Sequence, residues 1–508
     1  MRNVMKAATI EGKLPLLAVE GGCIISKDAD ITVVFRVELP ELFTVTHAEY
    51  EAIHAAWCKA VRVLPDYSVV LKQDWFIREQ YLPATGGEAS FLSRSYERHF
   101  NERPFLNHAC YLYLTKTTKE HTRMQSNFST LCRGHIIPKE INRDTARAFL
   151  EAVDQFERIM NDSGFVHLTR LTDNEITGTA GRPGLIEKYF ALSLDDTTSL
   201  QDMELRADGL RVGDKHVCLH TLSDTDDLPA RVGTDMRYEK LSTDRSDCLL
   251  SFAAPVGLLL SCDHIYNQWL FLDNSAENLQ RFEKQARNMH SLSRYSRSNQ
   301  INKEWLDQYL NEAHSFGLTS IRAHFNVVAW SDDPDELRRI RNDVGSQLAL
   351  MECRPRHNTV DAATLYWAAM PGNGGDFPAE ESFYTFIEPA LCFFTEETNY
   401  KASPSPFGLK LCDRISGRPL HLDLDDEPKR RGVIHNFNKF VLGGSGGGKS
   451  FFVNHMARNY YEQGTHIVLV DTGNSYEGLC ELIRKKTKGQ DGIYFTYTAV
   501  SYTHLRAH

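Results

Sequence analysis

Apolar and polar residues alternate in patterns that divide the first 400 residues into strands and helices. Runs such as ITVVFRV and YSVVL have the length and the β-former content of strands, and HAEYEAIHAAWCKAV has the spacing of an amphipathic helix. Residues 141–163 show a helical pattern as well. Residues 165–235 mix short apolar runs with Gly, Asp and Thr, which is typical of loops. The pattern predicts an α+β N-terminal region.

Two further apolar stretches fit this region. In HACYLYLTKT the β-formers Tyr111, Tyr113 and Thr115 interleave with leucines, which predicts a half-buried strand. The run Cys248–Cys262 is interrupted by Pro255 and is shorter than the roughly 20 residues that span a bilayer. We predict a buried strand or core segment there, so that any membrane association comes through a partner.

The apolar pattern of residues 320–350 predicts a strand followed by a capped helix. Asp333 is suited to cap the helix, Pro334 to open it, and Glu336 to complete a capping box. The apolar face of the strand comprises Ile321, Ala323, Phe325, Val327 and Ala329, and the buried stripe of the helix comprises Leu337, Ile340, Val344 and Leu348.

Three arginines, Arg338, Arg339 and Arg341, lie largely off that stripe. They could contact nucleic acid or a neighbouring subunit, but a solvated helix face is the more common reason for such a run. The sequence therefore assigns them no function.

Composition marks the expected domain boundaries. Met370–Pro406 is rich in Pro, Gly, acidic and aromatic residues, which is typical of a crossing between domains, and Asp423–Arg431 has the mixed charge of an exposed turn. With about 150 residues per domain as a guide, we predict two α+β regions, 1–235 and 236–400, and a third domain, 401–508.

The overall composition narrows the class of protein. The chain has 508 residues and a net charge of −10, with 57 Lys and Arg against 67 Asp and Glu. This balance argues against a protein that coats DNA or an acidic membrane, since such binding needs a surplus of positive charge. No C-x-x-C pair occurs among the 11 cysteines, so neither a zinc knuckle nor a dithiol motif is visible, and a reducing cytosol fits. Glu11 and Lys13 break the first apolar run, so we predict no signal peptide.

One motif carries clear chemistry. FVLGGSGGGKS contains the pattern G-x-x-x-x-G-K-[ST] of a phosphate-binding loop. The loop residues are Gly443, Gly444, Ser445, Gly446, Gly447, Gly448, Lys449 and Ser450. The flanking pattern agrees, because Asn438–Leu442 predicts a strand, Lys449–Gln463 a helix that ends at Gly464, and Thr465–Asp471 a buried parallel strand. Together these segments predict a β-α-β unit that binds a nucleotide.

The residue types of the loop explain that prediction. Glycines let the backbone turn tightly and direct N–H groups at phosphate oxygens, and the following helix adds its positive end. Lys449 would place a cation on the β and γ phosphates, and the Ser450 hydroxyl would ligate Mg²⁺. We predict ATP and Mg²⁺ as ligands. A GTPase would show Asn-Lys-x-Asp and a transporter an LSGGQ-like signature, and neither occurs.

Asp471 has two interpretations. It ends the apolar run IVLVD, as a metal-binding Walker B aspartate would, but it follows Lys449 by only 22 residues and precedes Thr472 rather than a catalytic Glu. A role at the end of the sheet, in sensing nucleotide, is favoured over direct Mg²⁺ binding.

HNFNKFVLGGSGGGKSFF, followed by IVLVDTGNSYEGLCELI, closely resembles the conjugative-transposon TraG family, whose members are similar to VirB-type and TrbE-type secretion ATPases. The resemblance extends back through FNVVAWSDDPDELRRIRNDV and RPFLNHACYLYLTKT. It implies an N-terminal α+β region, a RecA-like P-loop NTPase domain, assembly into hexamers, and partners in a type IV secretion channel and the inner membrane. It also implies a cytoplasmic, peripheral location and a role in driving pilus assembly and transfer of DNA and protein.

The C-terminal residues depart from this family. The closing AVSYTHLRAH, residues 499–508, does not resemble the family's continuation, which would carry the Walker B carboxylates and an inter-subunit arginine. We interpret the chain as a truncated or chimeric reading frame whose hydrolytic residues are unknown. Two alternatives stay open, a non-hydrolysing docking fragment of the secretion machinery and a DNA-translocating P-loop motor.

Overall fold

The computed structural model describes residues 9–82, 93–123, 142–206, 209–240, 248–292 and 296–496. Its contacts divide the chain into two compact units. The first comprises Met1–Glu79 and Leu106–Tyr400, and the second comprises Gln80–Phe105 and Lys401–His508. The division after Tyr400 falls where the sequence placed its last boundary, while the position 235/236 lies inside the first unit.

The described residues form both strands and α-helices. The strands are β1 (Leu16–Glu20), β2 (Cys23–Ser26), β3 (Ile31–Glu38), β4 (Ser68–Gln80), β5 (Pro104–Lys116), β6 (His167–Arg170), β7 (Gly178–Thr179), β8 (Arg182–Pro183), β9 (Met203–Arg206), β10 (Gly209–Val212), β11 (Lys215–Leu222), β12 (Asp235–Tyr238), β13 (Cys248–Ser251), β14 (His264–Leu272), β15 (Ser320–Ser331), β16 (Arg356–Asn358), β17 (Phe383–Phe386), β18 (Leu409–Cys412) and β19 (Pro419–Leu422). The α-helices are α1 (Ile10–Lys13), α2 (His47–Arg62), α3 (Ser93–Asn101), α4 (Arg143–Asp162), α5 (Asp173–Thr177), α6 (Leu185–Ala191), α7 (Ser275–Leu292), α8 (Arg297–Phe316), α9 (Pro334–Leu350), α10 (Ala362–Ala368), α11 (Ile387–Leu391), α12 (Asp426–Arg430), α13 (Lys449–Glu462) and α14 (Glu477–Lys486).

Thirteen of the described strands form one large sheet. Its main path runs β1-β2-β3-β5-β4-β14-β15-β11-β10-β9, with β6 beside β3, β16 beside β11, and β17 beside β15. Neighbours such as β4 and β14, β14 and β15, and β15 and β11 pair antiparallel. The sheet joins segments far apart in sequence, and the mixed α+β architecture predicted for the N-terminal region is confirmed.

Each face of the large sheet carries its own hydrophobic core, because successive side chains of a strand point to opposite faces. On β3, Phe35 belongs to one core and Val34 to the other. Helices α2, α4 and α9 contribute to the first core, and α6 and α10 contribute to the second. The sheet is therefore covered by helices on both faces.

The apolar face predicted for the central strand β15 is confirmed, and its other face is buried as well. Its five apolar residues line the first core as expected, but every residue of the strand is buried, so it has no solvent face. The opposite face carries buried polar residues that find partners: Arg322 Nε donates to Asp273 Oδ2 at 2.7 Å, and Asn267 Nδ2 donates to Asn326 Oδ1 at 2.8 Å. Burial of polar groups is tolerated because they are hydrogen-bonded. The prediction of a half-buried strand is wrong for β5, since every residue of this strand from Leu112 onward is buried.

The helix predicted after β15 is confirmed as α9. Asp333 caps it, with Oδ1 accepting from the Asp335 N–H at 2.9 Å, and the four residues of the predicted stripe are buried. Glu336 acts differently from a capping-box residue, because it accepts from Ser331 Oγ, which in turn accepts from the Asp333 N–H at 3.1 Å. Arg338, Arg339 and Arg341 are exposed.

The structure also bears on the predictions for five other regions. The helix predicted over 141–163 is α4, and the run Cys248–Cys262 is largely buried. The prediction of loops over 165–235 is wrong, since this stretch holds seven strands or parts of strands and two α-helices whose apolar runs are too short to show a period. Most of Met370–Pro406 is buried in the first unit, and Asp423–Arg431 contains α12, with Asp423 and Glu427 buried.

The described cysteines are free thiols. No helix within the described ranges is both long enough and apolar enough to cross a membrane.

Candidate nucleotide-binding site

The predicted phosphate-binding loop has a backbone that only glycine adopts readily. Gly446 has φ 79° and Gly448 has φ 87°, both in the left-handed region. A Cβ added to Gly447 would lie 3.1 Å from the carbonyl oxygen of Gly444. Three of the loop glycines are therefore required by the shape of the loop itself, whereas a Cβ on Gly444 would meet no atom within 4 Å.

Lys449 folds back over this loop. Its Nζ donates hydrogen bonds to the carbonyl oxygens of Gly443 and Gly444, each at 2.7 Å. A Cβ on Gly443 would lie 3.3 Å from Lys449 Cγ, so the lysine stem also fills the space beside the loop. The ammonium group is thus held within the concave side of the loop, where a phosphate group would need a cation.

Helix α13 begins directly after the loop. The Gly448 carbonyl accepts from the Phe452 N–H at 2.9 Å, and the first N–H groups of the helix therefore lack partners within it. These groups give the start of α13 a partial positive charge that faces the loop. At the other end Gly464 has φ 84°, and the Thr465 N–H donates to the Tyr460 carbonyl at 2.9 Å, which confirms the predicted end of the helix.

Helix α13 is fastened to the strand β18. The His455 ring donates from Nε2 to the Lys410 carbonyl oxygen at 2.5 Å. The buried Asn459 side chain accepts from the Lys410 N–H, and Gln463 exchanges two hydrogen bonds with the backbone of Gly408. The loop therefore stands on a helix whose orientation is fixed by the strand beside it.

Asp471 is exposed and organises a turn. Its Oδ2 accepts from the Ser475 N–H at 3.0 Å. The backbone N–H groups of Ser475, Gly473 and Thr472 hold the pKa of Asp471 below its ordinary value, so the side chain is an anion near neutral pH. Asn454 ties this turn to α13, since its Nδ2 donates to the carbonyls of Ser475 at 2.9 Å and Ser450 at 3.0 Å.

The prediction of two strands beside the loop is wrong for this structure. Residues 438–442 and 465–471 are irregular, and their apolar side chains face solvent: Phe440 is 88% exposed, Leu442 83%, Val468 91% and Val470 95%. An apolar run becomes a strand only when a neighbouring strand satisfies its backbone groups, and no such neighbour pairs with these segments within the described residues. The loop closes through local contacts, and α13 is held by β18 rather than by a strand on either side of the loop.

Comparison with known protein families identifies this region. Residues 408–504 match the family model described as TraG P-loop domain. The chain carries a TraG P-loop domain. A second model, described as "Domain of unknown function, B. Theta Gene description (DUF3875)", matches residues 3–55. No curated protein matches the chain.

The TraG P-loop domain begins at Gly408, whose backbone is hydrogen-bonded to Gln463. It includes the whole loop, Gly443–Ser450, together with Asp471. A P-loop domain implies nucleotide binding. The residues present fit a phosphate chain, because the glycine loop leaves space that a Cβ at Gly447 would obstruct. The loop also holds a lysine on its concave side and leads into a helix N-terminus. Within the described residues no group of three or more His, Cys, Asp or Glu side chains is arranged to hold a metal ion by itself.

Sequence reasoning missed Asn454. This residue is four positions after Ser450, on the same side of α13, and it connects the loop helix to the Asp471 turn. The available signal was a single polar residue in the apolar start of the helix, FFVN, which also suits an ordinary solvated position. Only the hydrogen bond to the Ser475 carbonyl distinguishes a connecting residue from an ordinary solvated one.

Proposed function

We propose that this chain is a nucleotide-binding motor subunit of a TraG-like conjugation NTPase, and that its TraG P-loop domain binds Mg-ATP. The observation that carries the proposal is the match over residues 408–504 at a loop whose glycines and lysine have the conformation described above. RecA-like architecture and assembly into a hexameric ring are part of the same proposal, and rest on the sequence resemblance.

Backbone groups and the Lys449 side chain would both contact the phosphates. Backbone N–H groups of residues 446–450 would receive the phosphate oxygens, because the left-handed glycines and the start of α13 direct these groups into the loop. Lys449 would exchange its bonds to the Gly443 and Gly444 carbonyls for phosphate oxygens, so that a cation is already in place when the anion arrives. The loop is therefore arranged for the charge before the nucleotide binds.

The Ser450 hydroxyl and the Asp471 carboxylate are the proposed positions for Mg²⁺. A hydroxyl and a carboxylate are hard oxygen donors of the kind that this ion prefers, and Mg²⁺ would neutralise part of the phosphate charge. Ser450 is the first-choice ligand. Asp471 is proposed to act through the turn that it caps, since its carboxylate already accepts a hydrogen bond from the Ser475 N–H. Asn454 connects that turn to α13 by donating to the Ser475 carbonyl.

We further propose that the chain works at the cytoplasmic face of the inner membrane. It would be held there by partners in the type IV secretion channel and would energise pilus assembly and transfer of DNA and protein. The acidic net charge and the sequence resemblance support this arrangement over direct binding to an acidic membrane.

The test is ATP binding by the full chain, measured by titration calorimetry with Mg²⁺ present. Lys449→Ala should weaken ATP affinity at least about tenfold, because charge-assisted bonds to phosphate are worth about 1.5–3 kcal/mol. Lys485→Ala is the matched control: it removes the same charge from the same domain, at an exposed lysine paired with Glu481. Equal affinities of the two variants and the parent chain would refute the nucleotide site.

Conjugative transfer tests the motor role separately. A transfer-deficient strain complemented with a protein that carries Lys449→Ala should transfer no better than the empty strain, while Lys485→Ala should restore transfer. If Lys449→Ala binds no ATP yet restores transfer, the site is a nucleotide site without a motor function, and the docking alternative replaces the present proposal.

A further inference from the structure

A second cluster of basic groups lies on the first unit, outside the TraG P-loop domain. His220 on β11 and His357 on β16 are cross-strand partners, and their ring centroids are 5.4 Å apart. Arg341 on α9 lies beside them, and together the three side chains line a surface cavity of about 540 Å³. This is one of the arginines to which the sequence pattern assigned no function.

The cluster is electrostatically unbalanced. Burial lowers the pKa of His220 to about 4, and the charges of His357 and Arg341 add to that effect. Burial and Arg341 likewise lower the pKa of His357. Cys218, two residues earlier on β11, stays a neutral thiol because burial raises its pKa to about 11. The charges acting on the two rings are thus all positive, and an anion would relieve them.

His220 also has an unused hydrogen-bonding atom. Its side chain is buried, at 4% exposure, and its Nδ1 has no hydrogen-bond partner among the described residues. A buried polar atom without a partner is uncommon in folded proteins and is destabilising. A ligand oxygen in the cavity would supply the missing partner.

Gly345 keeps the cavity open. It lies in the middle of α9, where glycine is less favourable than alanine. Its backbone does not require glycine, since φ is not positive and an added Cβ would meet no atom within 4 Å. The missing side chain does leave space, because Gly345 lines the cavity together with Asn342 and Ser346, which offer neutral polar groups at its rim.

We propose that this cavity binds an oxyanion of the phosphate class, held by Arg341, His357 and protonated His220. A bound anion favours a proton on His220, because its negative charge opposes burial and the charges of His357 and Arg341, which lower the pKa of that ring. Affinity therefore increases as pH falls from 7 to 5. The site belongs to the first unit and does not depend on the proposed nucleotide site.

The test is titration calorimetry of the full chain with inorganic phosphate at pH 6. All proteins carry Lys449→Ala, so that the P-loop makes no contribution through its lysine. Arg341→Gln should weaken phosphate binding at least tenfold. Arg339→Gln is the matched control, because it removes the same charge two residues away on α9 at an exposed position that does not line the cavity. Its affinity should stay within twofold.

Two further measurements separate a built site from general attraction to positive charge. Gly345→Gln keeps every charge but fills the cavity, so it should also weaken binding at least tenfold. Glycerol phosphate, tested beside inorganic phosphate, should bind at least as tightly if an ester is the natural occupant and more weakly if free phosphate is. Equal affinities of Arg341→Gln and Arg339→Gln, or full binding by Gly345→Gln, would overturn the proposal.

Discussion

At the scale of single residues, the loop glycines are not equivalent. Gly448 has φ 87° and Gly444 has no positive φ and open space around its Cβ position. An L-residue in the left-handed region is disfavoured by roughly 1–2 kcal/mol. We predict that Gly448→Ala lowers ATP affinity about tenfold or more, because the backbone must leave its N–H-presenting conformation to relieve that strain.

Gly444→Ala is the matched control for this prediction, since it adds the same methyl group to the same loop. It should leave ATP affinity within about twofold, as measured by titration calorimetry on the full chain. A similar loss in both variants would show that nucleotide contact, rather than backbone conformation, explains the glycines.

A second residue-scale feature is the buried pair of Lys72 and Asp74 in the first unit. Both side chains have no exposed surface, and Lys72 Nζ donates to Asp74 Oδ2 at 2.6 Å and to Thr395 Oγ1 at 2.8 Å. Burial opposes the positive charge, but Asp74 outweighs it and raises the pKa of Lys72. The pair is therefore charged, and each member depends on the other.

We predict that Lys72→Met lowers the free energy of unfolding of the first unit by about 3–5 kcal/mol, because it leaves the Asp74 carboxylate buried without its cation. Urea denaturation followed by tryptophan fluorescence measures the change. Arg98→Met, which breaks the exposed pair with Glu102, should leave the free energy of unfolding of the chain nearly unchanged. A loss below about 1 kcal/mol for Lys72→Met would mean that Asp74 becomes protonated or solvated in the variant.

At the scale of elements, the segment that follows α11 is anchored by buried carboxyl groups. Trp57 Nε1 donates to Glu396 Oε2 at 3.0 Å, and the Ser251 N–H and hydroxyl donate to Glu397 Oε1 at 3.0 and 2.9 Å. Burial raises the pKa of Glu396 to about 8 and that of Glu397 to about 7. These two carboxyls hold the segment against α2 and β13, one on each side.

The raised pKa values make the stability of this element depend on pH. Between the ordinary value of 4.5 and about pH 8, the folded protein binds protons on Glu396 that the unfolded chain has released. The free energy of unfolding therefore decreases as pH rises through this range, by up to about 1.4 kcal/mol per pH unit for one proton. The contribution is fully present below pH 4.5 and is lost above pH 8.

We predict that Glu396→Gln flattens this dependence, because an amide accepts from Trp57 Nε1 but does not titrate. Urea midpoints at pH 5, 6, 7 and 8 should fall for the parent chain and fall less for the variant. Glu102→Gln, at an exposed carboxylate, should follow the parent chain. Parallel curves for Glu396→Gln and the parent would show that Glu396 keeps its ordinary pKa in the folded protein.

At the scale of the whole molecule, local signals were sufficient for the helices α2, α4, α9 and α13 and insufficient for the sheet. The cap and stripe of α9 and the glycines and lysine before α13 lie within a few residues of the structure that they specify, so they could be read from the sequence. The second buried face of β15 could not, because Arg322 and Asn326 are satisfied by Asp273 and Asn267, about fifty residues or more away. The same limit explains the two strands wrongly predicted beside the loop, where the apolar pattern is present but no neighbouring strand pairs with it among the residues that the structure describes.

Charge is the other property of the whole molecule with a measurable consequence. With 57 basic and 67 acidic residues the chain is acidic overall, and its exposed arginines on α9 are few against that background. Nonspecific DNA binding draws its free energy from the release of counterions by clustered Lys and Arg. We therefore predict that the full chain binds random duplex DNA with a dissociation constant weaker than about 100 µM at 150 mM salt.

Fluorescence anisotropy with a labelled 30-base-pair duplex, read at 50 and 150 mM salt, measures this affinity. Weak binding at both concentrations separates the chain from a motor that grips DNA itself, since such a motor must hold phosphates at the salt concentration at which it moves. Micromolar binding that weakens steeply between the two salt concentrations would instead reveal a basic surface stronger than the net charge implies. In that case Arg338→Gln and Arg339→Gln on α9 would be the first variants to test, and the DNA-translocating alternative would take precedence over transfer driven through protein partners alone.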